Sequence, residues 1–464
     1  MAPAIPAAME RPHFIGIGGA GMSGIAKILA QRGAKVAGSD ARESGTAASL
    51  RALGATVHIG HAAHHLADDS SCVVVSSAIR ADNPELARAR QLGIPVVHRS
   101  DALAALMEGL RAIAVAGTHG KTTTTSMLAV ALTELGLDPS YAIGGDLAGP
   151  GTNARHGEGD LFVAEADESD RSFQKYDPEV ALVLNVELDH HANYASLEEV
   201  HESFEAFVAK VPDGGTLVVG EHPGARELAA RVSGRPGLEV LRVGESEGSD
   251  AWIRRITPKG MTSEVTVVLD GAEHTFTVSV PGRHYAHNAA AALAAGARAG
   301  VDPAGLARAL TAYTGVGRRL QLKGEAAGVQ VVDSYAHHPT EMTADLEAMR
   351  DAAGTDRRLL VVFQPHLFSR TRELGAEMGR ALALADESLV LDVYPAREDP
   401  IPGVTSALVT DAAAAAGARV TPVHDQAAVP GLIAGTARPG DLVLTMGAGD
   451  VTDLGPRILD RLAN

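Results

Sequence analysis

The sequence predicts an α/β protein of three domains, each built on a mostly parallel sheet. Three observations carry that prediction. The chain has 464 residues, and at ~100–200 residues per domain that length suits three domains. Short apolar runs alternate with helical stretches, the pattern of parallel strands joined by crossover helices. The alternation falls into three blocks, each opening with an apolar strand and a turn rich in glycine or histidine.

The first block spans residues 1–107. Its strands are expected at 13–18, 35–38, 73–76 and 94–97, with helices at 22–32 and near 84–92. The second block spans 108–318. Strand 112–116 leads into a glycine loop and a helix after Thr122. Further strands are expected at 161–165, 180–185, 216–219 and 263–269, and the alanine-rich stretch 288–299 reads as a helix. The third block spans 319–464, with strands at 329–333, 359–364, 389–393 and 442–446. Its helices are expected at 341–350, 372–384 and 451–462.

Hydrophobic residues make up 45% and charged residues 21%, an ordinary globular composition. Aromatic residues are only 3%, so Ala, Val and Leu must fill the cores. The formal net charge of -17 repels nucleic-acid phosphates and argues against a broad nucleic-acid-binding face. An anionic substrate must then be held by local basic groups and backbone amides. The single cysteine, Cys72, rules out an intrachain disulfide and fits a reducing compartment. It opens the apolar run 72–75 and reads as a buried strand residue. Residues 1–8 have no basic start and no apolar core, so no signal peptide is expected. No stretch approaches the ~20 apolar residues of a membrane span. A soluble cytoplasmic protein is expected.

The sharpest motif is Gly117-Thr118-His119-Gly120-Lys121-Thr122-Thr123, after a strand and before a helix. Glycines let backbone N–H groups approach phosphate oxygens, Lys121 would neutralise the β- and γ-phosphates, and the Thr122 hydroxyl would ligate Mg²⁺. The helix N-terminus adds a favourable partial charge. The usual pattern places a further glycine where this chain has Val115, so the loop is a shortened variant.

Glu165 ends an apolar strand and opens Glu165-Ala166-Asp167-Glu168-Ser169-Asp170. Asp189-His190-His191 follows the next strand. Ligands gather at the carboxyl ends of parallel strands. Thr122, Glu165 and His190 are therefore expected around Mg²⁺, with His191 the alternative to His190. Phosphoryl transfer needs such a metal to offset charge. Asp167, Glu168 and Asp170 read equally as a solvated turn.

Gly16-Ile17-Gly18-Gly19-Ala20-Gly21 follows the first strand, and Asp40 lies about 20 residues further on. Alone, this pattern supports an NAD-dependent oxidoreductase. The same geometry holds any nucleotide diphosphate, including that of a UDP-sugar. Ser76-Ser77-Ala78-Ile79 closes another strand at the same sheet edge, either as part of that site or as a plain turn. The cluster His61, His64, His65 reads as a solvated loop, and the alanine run 412–416 as helix or core.

Taken together, seven segments resemble the Mur ligase family over essentially the whole chain. They are 16–26 (GIGGAGMSGIA), 117–125 (GTHGKTTTT), 165–170 (EADESD), 281–291 (PGRHYAHNAAA), 315–321 (GVGRRLQ), 333–341 (DSYAHHPTE) and 363–371 (FQPHLFSRT). The member resembled joins L-alanine to the lactyl carboxylate of UDP-N-acetylmuramic acid in bacterial peptidoglycan synthesis. Phe363-Gln364-Pro365-His366 favours L-alanine over the tripeptide used by the recycling ligase of the same family.

The resemblance implies a Rossmann-like UDP-sugar domain, a central P-loop ATPase-like domain and a C-terminal Rossmann-like amino-acid domain. It implies ATP and Mg²⁺ as cofactors, no nucleic-acid or membrane partner, and a monomer or homodimer. By resemblance, Lys121 and Thr122 hold phosphate and metal, while Glu165 and His190 ligate metal. Gly117 to Thr123 cradle ATP, Asn288 contacts adenine, and Arg318 reaches the nucleotide phosphates. Gly16, Gly18, Gly19, Gly21, Asp40 and Ser77 hold the sugar nucleotide. Asp333, Tyr335, His337 and Arg370 serve ATP, substrate and L-alanine, with Arg370 on the amino-acid carboxylate and His337 or Asp333 as base. The chain departs from the family at Ser334, where a second acid is usual, and at Ala192, where an aspartate is frequent. A carbamylated lysine of the kind sister ligases use has no good counterpart, Lys210 being a poor candidate.

Overall fold

The structure, a computed structural model, describes residues 6–148, 151–189, 193–396 and 398–464. Chain contacts divide it into two compact units. The first comprises Met1–Arg255, Thr266–Phe276 and His287–Tyr313; the second comprises Ile256–Val265, Thr277–Ala286 and Thr314–Asn464.

The first unit begins with a five-stranded sheet in the order Thr56–Ile59, Ala37–Asp40, Pro12–Ile15, Cys72–Val75, Val96–His98, parallel throughout. Parallel strands need long crossovers, and the intervening helices supply them. Helix Ala20–Gln31 buries Met22, Ile25, Ile28 and Leu29, the one-face spacing that its sequence shows. Burying each such side chain contributes about 1.5–3 kcal/mol. Cys72 is fully buried, and desolvation pushes its thiol up to about 11, so it packs rather than reacts.

A ten-stranded sheet follows. Within it Glu239–Gly244, Thr216–Val219, Val180–Val183, Arg111–Ala116, Leu161–Glu165, Ser140–Ala142 and Ala154–Arg155 lie side by side in that order. The pairs flanking Arg111–Ala116 are parallel, so that strand is central and its carboxyl end is an interior position. The run Ala112–Ala116 is wholly buried, which explains why it is continuously apolar rather than alternating.

The second unit holds a six-stranded sheet ordered Gln321–Ala326, Val329–Ser334, Leu442–Met446, Leu359–Phe363, Glu387–Leu391, Val420–Val423. Only the first pair is antiparallel, with a register shift between Leu322 and Gly324. Val331, Val362, Val443 and Ile458 form part of its core. Among the described residues no helix is long and apolar enough to cross a membrane.

The α/β class with mostly parallel sheets is as the sequence predicts; several boundaries move. The expected strand 35–38 is Ala37–Asp40, which places Asp40 at a strand end. The expected strand 94–97 is Val96–His98, because Gly93 ends the preceding helix in the left-handed region and Pro95 follows. The helix expected from 288 begins at Arg283, and the one expected from 372 begins at Phe368 and closes in a 3₁₀ turn, Leu382–Leu384.

The histidine cluster is only partly the solvated loop expected. His64 is exposed, but His61 and His65 are half-buried around the fully buried Glu85. Glu85 Oε1 lies 3.3 Å from His61 Nδ1, its Oε2 lies 2.6 Å from His13 Nε2, and Ser39 donates to it at 2.8 Å. A buried carboxylate requires such donors, and nothing in the local sequence of residues 61–65 announces that Glu85 lies beneath them.

Candidate active site

The phosphate loop leaves the carboxyl end of the central strand Arg111–Ala116 and enters helix Lys121–Glu134. Gly117 and Gly120 have φ of +137° and +83°. A Cβ on Gly117 would stand 3.2 Å from the backbone of Asn185, and one on Gly120 would stand 2.9 Å from Asn288 Oδ1. Both positions therefore exclude side chains and need the left-handed region. Gly120 offers no side-chain cap, so the helix N-terminus keeps its backbone donors for a ligand. The hydroxyls of Thr124, Thr125 and Ser126 donate to carbonyls one turn back, which lets this polar run lie buried.

Lys121 Nζ donates to the carbonyls of Gly117 and Thr118 at 2.5 and 3.1 Å and pairs with Glu168 at 2.8 Å. Burial disfavours its charge, but Glu168, Asp167 and Glu165 outweigh burial and raise its pKa. Glu165 accepts from Thr122 Oγ1 at 3.0 Å and from the Gly144 amide at 2.6 Å. Burial raises its pKa, opposed by Lys121. Thr122 and Glu165 thus present adjacent oxygen donors, the hard ligands that Mg²⁺ takes. Thr123 is buried in the first helical turn, and Asn288, on helix Arg283–Arg298, packs its amide against Gly120. His190 and its alternative His191 lie outside the described residues.

Three supports of this loop, Asn185, Glu187 and His222, were not singled out in the sequence. Asn185 accepts from the His119 amide at 2.7 Å and donates to its carbonyl at 3.0 Å, fixing the loop's shape. Glu187 stands 3.6 Å from His119 Nε2 and 3.1 Å from His222 Nε2. Burial would raise the Glu187 pKa, but these two histidines hold it well below the usual carboxylate range. The nearest hint was a polar residue, Asn185, two positions after the strand Val180–Val183.

At the first sheet, Gly16 and Ile17 donate to the carbonyl of Ser39, and Gly18 donates to Asp40 Oδ2 at 2.8 Å. Gly19 is the uncapped start of helix Ala20–Gln31, and Gly21 lies in its first turn. Ser77 donates to Asp170 Oδ2 at 2.6 Å and stands 3.2 Å from His98 Nε2. The six expected sugar-nucleotide residues therefore sit at the carboxyl ends of neighbouring parallel strands.

In the second unit, Arg318 has φ of +63° and donates to the carbonyls of Gly447 and, at 3.0 Å, Gly449. Its guanidinium lies 4.9 Å from the Tyr335 ring centroid, and its Nε is 3.5 Å from Asp333 Oδ2. Asp333 is fully buried and accepts from Thr445 and Thr452, each at 2.7 Å. Ser334, where the resemblance leads one to expect an acid, bonds the buried Asp345 and accepts from the Ala336 amide. A second carboxylate there would face Asp345, whose other oxygen lies 3.1 Å from His284 Nε2. Gln364 holds Asp450 and the Val451 amide, bracing the loop that meets Arg318.

His337 lies 3.0 Å from the Tyr335 carbonyl and 3.5 Å from Glu341, and Arg370 Nη1 stands 3.4 Å from His366 Nδ1. His366 stacks on Tyr394 with centroids 5.7 Å apart. Burial lowers His337 and His366 from 6.5 to about 4 each, so both rings are neutral near pH 7. As pH falls, the unfolded chain takes up these protons first. Their contribution is therefore complete above about pH 6.5 and is lost between that pH and about 4, a few kcal/mol in all. Urea unfolding of the full chain across this range should show the loss, and His337→Asn with His366→Asn should flatten the slope. An unchanged slope in the double variant would place the acid sensitivity elsewhere.

Comparisons with known proteins agree with this geometry. Three family models match: "Mur ligase family, catalytic domain" over residues 11–111, "Mur ligase middle domain" over 115–296, and "Mur ligase, glutamate ligase domain" over 318–449. The chain is 77% identical to the UDP-N-acetylmuramate–L-alanine ligase of Streptomyces griseus, covering 100% of both chains. It is 53% identical to the ligase of the same name from Kineococcus radiotolerans, covering 98% of this chain and 97% of that one. Among solved structures it is similar to the UDP-N-acetylmuramate-alanine ligase of Thermotoga maritima, with TM-score 0.80 and 28% identity over 97% of this chain and 98% of that one. A murein peptide ligase from Psychrobacter arcticus matches with TM-score 0.69 and 25% identity over 98% of each chain.

Proposed function

This chain belongs to the Mur ligase family, and on that premise we propose that it joins L-alanine to UDP-N-acetylmuramic acid at the expense of ATP. The observation that carries this reading is the phosphate loop, where Lys121 and the Thr122–Glu165 pair stand together at the end of the central strand. ATP occupies Gly117 to Thr123, with Asn288 toward the base. The loop Gly16–Gly21 with Asp40 and Ser77 takes the sugar nucleotide. The three domains are assigned to residues 1–107, 108–318 and 319–464.

The lactyl carboxylate attacks the γ-phosphorus of ATP, and the bond to ADP breaks. The acyl phosphate so formed has a good leaving group. Lys121 and Arg318 stabilise the charge of the transferring phosphoryl group. The amine of L-alanine then attacks the acyl carbon, the amide forms, and phosphate leaves. Arg370 fixes the amino-acid carboxylate, because a guanidinium matches a carboxylate bidentately. An amine attacks only when unprotonated. His337, neutral near pH 7, is the better proton acceptor, since the oxygens of Asp333 already accept from Thr445 and Thr452. Tyr335 packs beneath Arg318 and borders the same turn.

Mg²⁺ is assigned to Thr122 and Glu165, with His190 or His191 as a further ligand. Their oxygen atoms are 3.0 Å apart, and the burial of Glu165 favours a cation beside it. When bound, the metal neutralises phosphate charge. The reading carries with it a cytoplasmic location, a monomer or homodimer, and no nucleic-acid or membrane partner.

Phosphate release from ATP and Mg²⁺ tests the assignment, with UDP-N-acetylmuramic acid and L-alanine each present or omitted. Release is expected only when both are present. Release indifferent to both would make the protein a plain nucleotide hydrolase.

A further inference from the structure

Arg99 is a basic residue at the glycine loop that no motif pointed to. It opens helix Arg99–Met107, directly after strand Val96–His98. That strand runs parallel to Cys72–Val75, which runs parallel to Pro12–Ile15. Parallel pairing brings the residues after all three strands to one end of the sheet. The glycine loop, Ser77 and Arg99 therefore meet there.

The contact with the loop is close. A Cβ on Gly21 would lie 3.1 Å from Arg99 Nη1 and 3.7 Å from its Cδ. The arginine thus lies across the first turn of the loop's helix, and Gly21 leaves room for it. Its side chain is only 18% exposed. Nη2 donates to Asp167 Oδ2 at 2.8 Å and stands 3.5 Å from Asp170 Oδ2. Asp170 in turn accepts from Ser77. Burial opposes the charge of Arg99, and these two carboxylates more than offset it.

A cation in this position has a cost. The uncapped N-terminus of helix Ala20–Gln31 carries positive partial charge, so an arginine laid on it is repelled unless anions are near. Asp167 and Asp170 are the anions that hold it in place. A diphosphate on the loop would be attracted both to the helix N-terminus and to the guanidinium, which offers a planar fork of donors. With a net charge of -17, the protein must gather such local cations to bind an anion at all.

We propose that Arg99 is a diphosphate-binding residue of the sugar-nucleotide site, positioned over the Gly16–Gly21 loop by Asp167 and Asp170. The proposal rests on the reading of that loop as the sugar-nucleotide site. It also gives the acid run 165–170 a divided role: Glu168 pairs with Lys121 at the ATP loop, while Asp167 and Asp170 hold Arg99 at the other.

The test is calorimetric titration of the full chain with UDP, paired with steady-state kinetics and thermal unfolding. R99A is expected to weaken UDP binding about 10- to 100-fold, the range for hydrogen bonds to charged groups. The KM for UDP-N-acetylmuramic acid should rise in parallel, with the KM for ATP changed less than about twofold. R99K keeps the charge and stem but loses the fork, and should recover part of the affinity; it also serves if R99A does not fold. Wild-type affinity for UDP in both variants would overturn the proposal, leaving Arg99 a structural strut. Equal loss for UDP and ATP with a lowered unfolding temperature would overturn it too. Failure of the wild type itself to bind UDP would instead remove the reading of the glycine loop on which the proposal stands.

Discussion

Lys121→Ala should lose about 10²–10³-fold in the rate of substrate-dependent phosphate release, the usual cost of removing one preorganised charge donor. The structure adds a complication that the experiment must separate. Lys121 pairs with Glu168, which is 2% exposed. Removing the lysine alone withdraws the cation that Glu168 pairs with, and breaking such a pair costs about 3–5 kcal/mol of stability. A fall in activity could then be a fall in folded protein. The double variant Lys121→Ala, Glu168→Gln removes the carboxylate charge as well. Urea unfolding should show its stability restored toward wild type, while phosphate release stays low. If the double variant recovered activity along with stability, Lys121 would be a structural partner of Glu168 and not a phosphate ligand.

Glu165→Gln should show the opposite balance. Burial is the largest influence on this carboxylate and works against its charge. Glutamine keeps the shape and an oxygen to accept from the Gly144 amide, which now meets Glu165 at 2.6 Å. The variant is therefore expected to be at least as stable as wild type. Catalysis should nevertheless fall about 10²-fold or more, because a neutral amide is a poor ligand for a hard divalent cation. The informative measurement is phosphate release as Mg²⁺ is titrated. Half-saturation should move to about tenfold higher Mg²⁺ or beyond. A variant with wild-type metal dependence would take Glu165 out of the metal site.

The two variants probe side chains that were legible in the sequence, and the reason is physical. A loop that wraps phosphate with its backbone must contain residues that tolerate φ above zero and close contact, so Gly117 and Gly120 are forced by geometry. A strand covered on both faces must be apolar throughout, so Arg111–Ala116 and Leu161–Glu165 stand out and locate Lys121, Thr122 and Glu165 at their ends. The same logic makes the Gly16–Gly21 loop and the alternating strands and helices readable. Short-range requirements leave short-range marks.

What only the tertiary structure decided are the pairings between residues remote in sequence. Asn185 holds the His119 backbone, Glu187 gathers His119 and His222, and Glu85 collects His13 and His61. Asp167 and Asp170 hold Arg99, and the carbonyls of Gly447 and Gly449 hold Arg318. Some of these residues stand in recognisable motifs, but no local pattern says which remote residue each one meets. Its partner is chosen by which strand ends the sheet order brings together, and by the requirement that a buried charge meet its opposite or a hydrogen-bond donor. Ser334 shows the same division in one residue. The sequence supplies the serine, and only the fold shows that its hydroxyl meets the buried Asp345. The sequence by itself thus determined the α/β class, the two glycine loops and the polar side chains at the strand ends beside them. Which distant charges meet behind those loops was decided by the fold, because burial turns a carboxylate or guanidinium that is indifferent in water into one that must be paired.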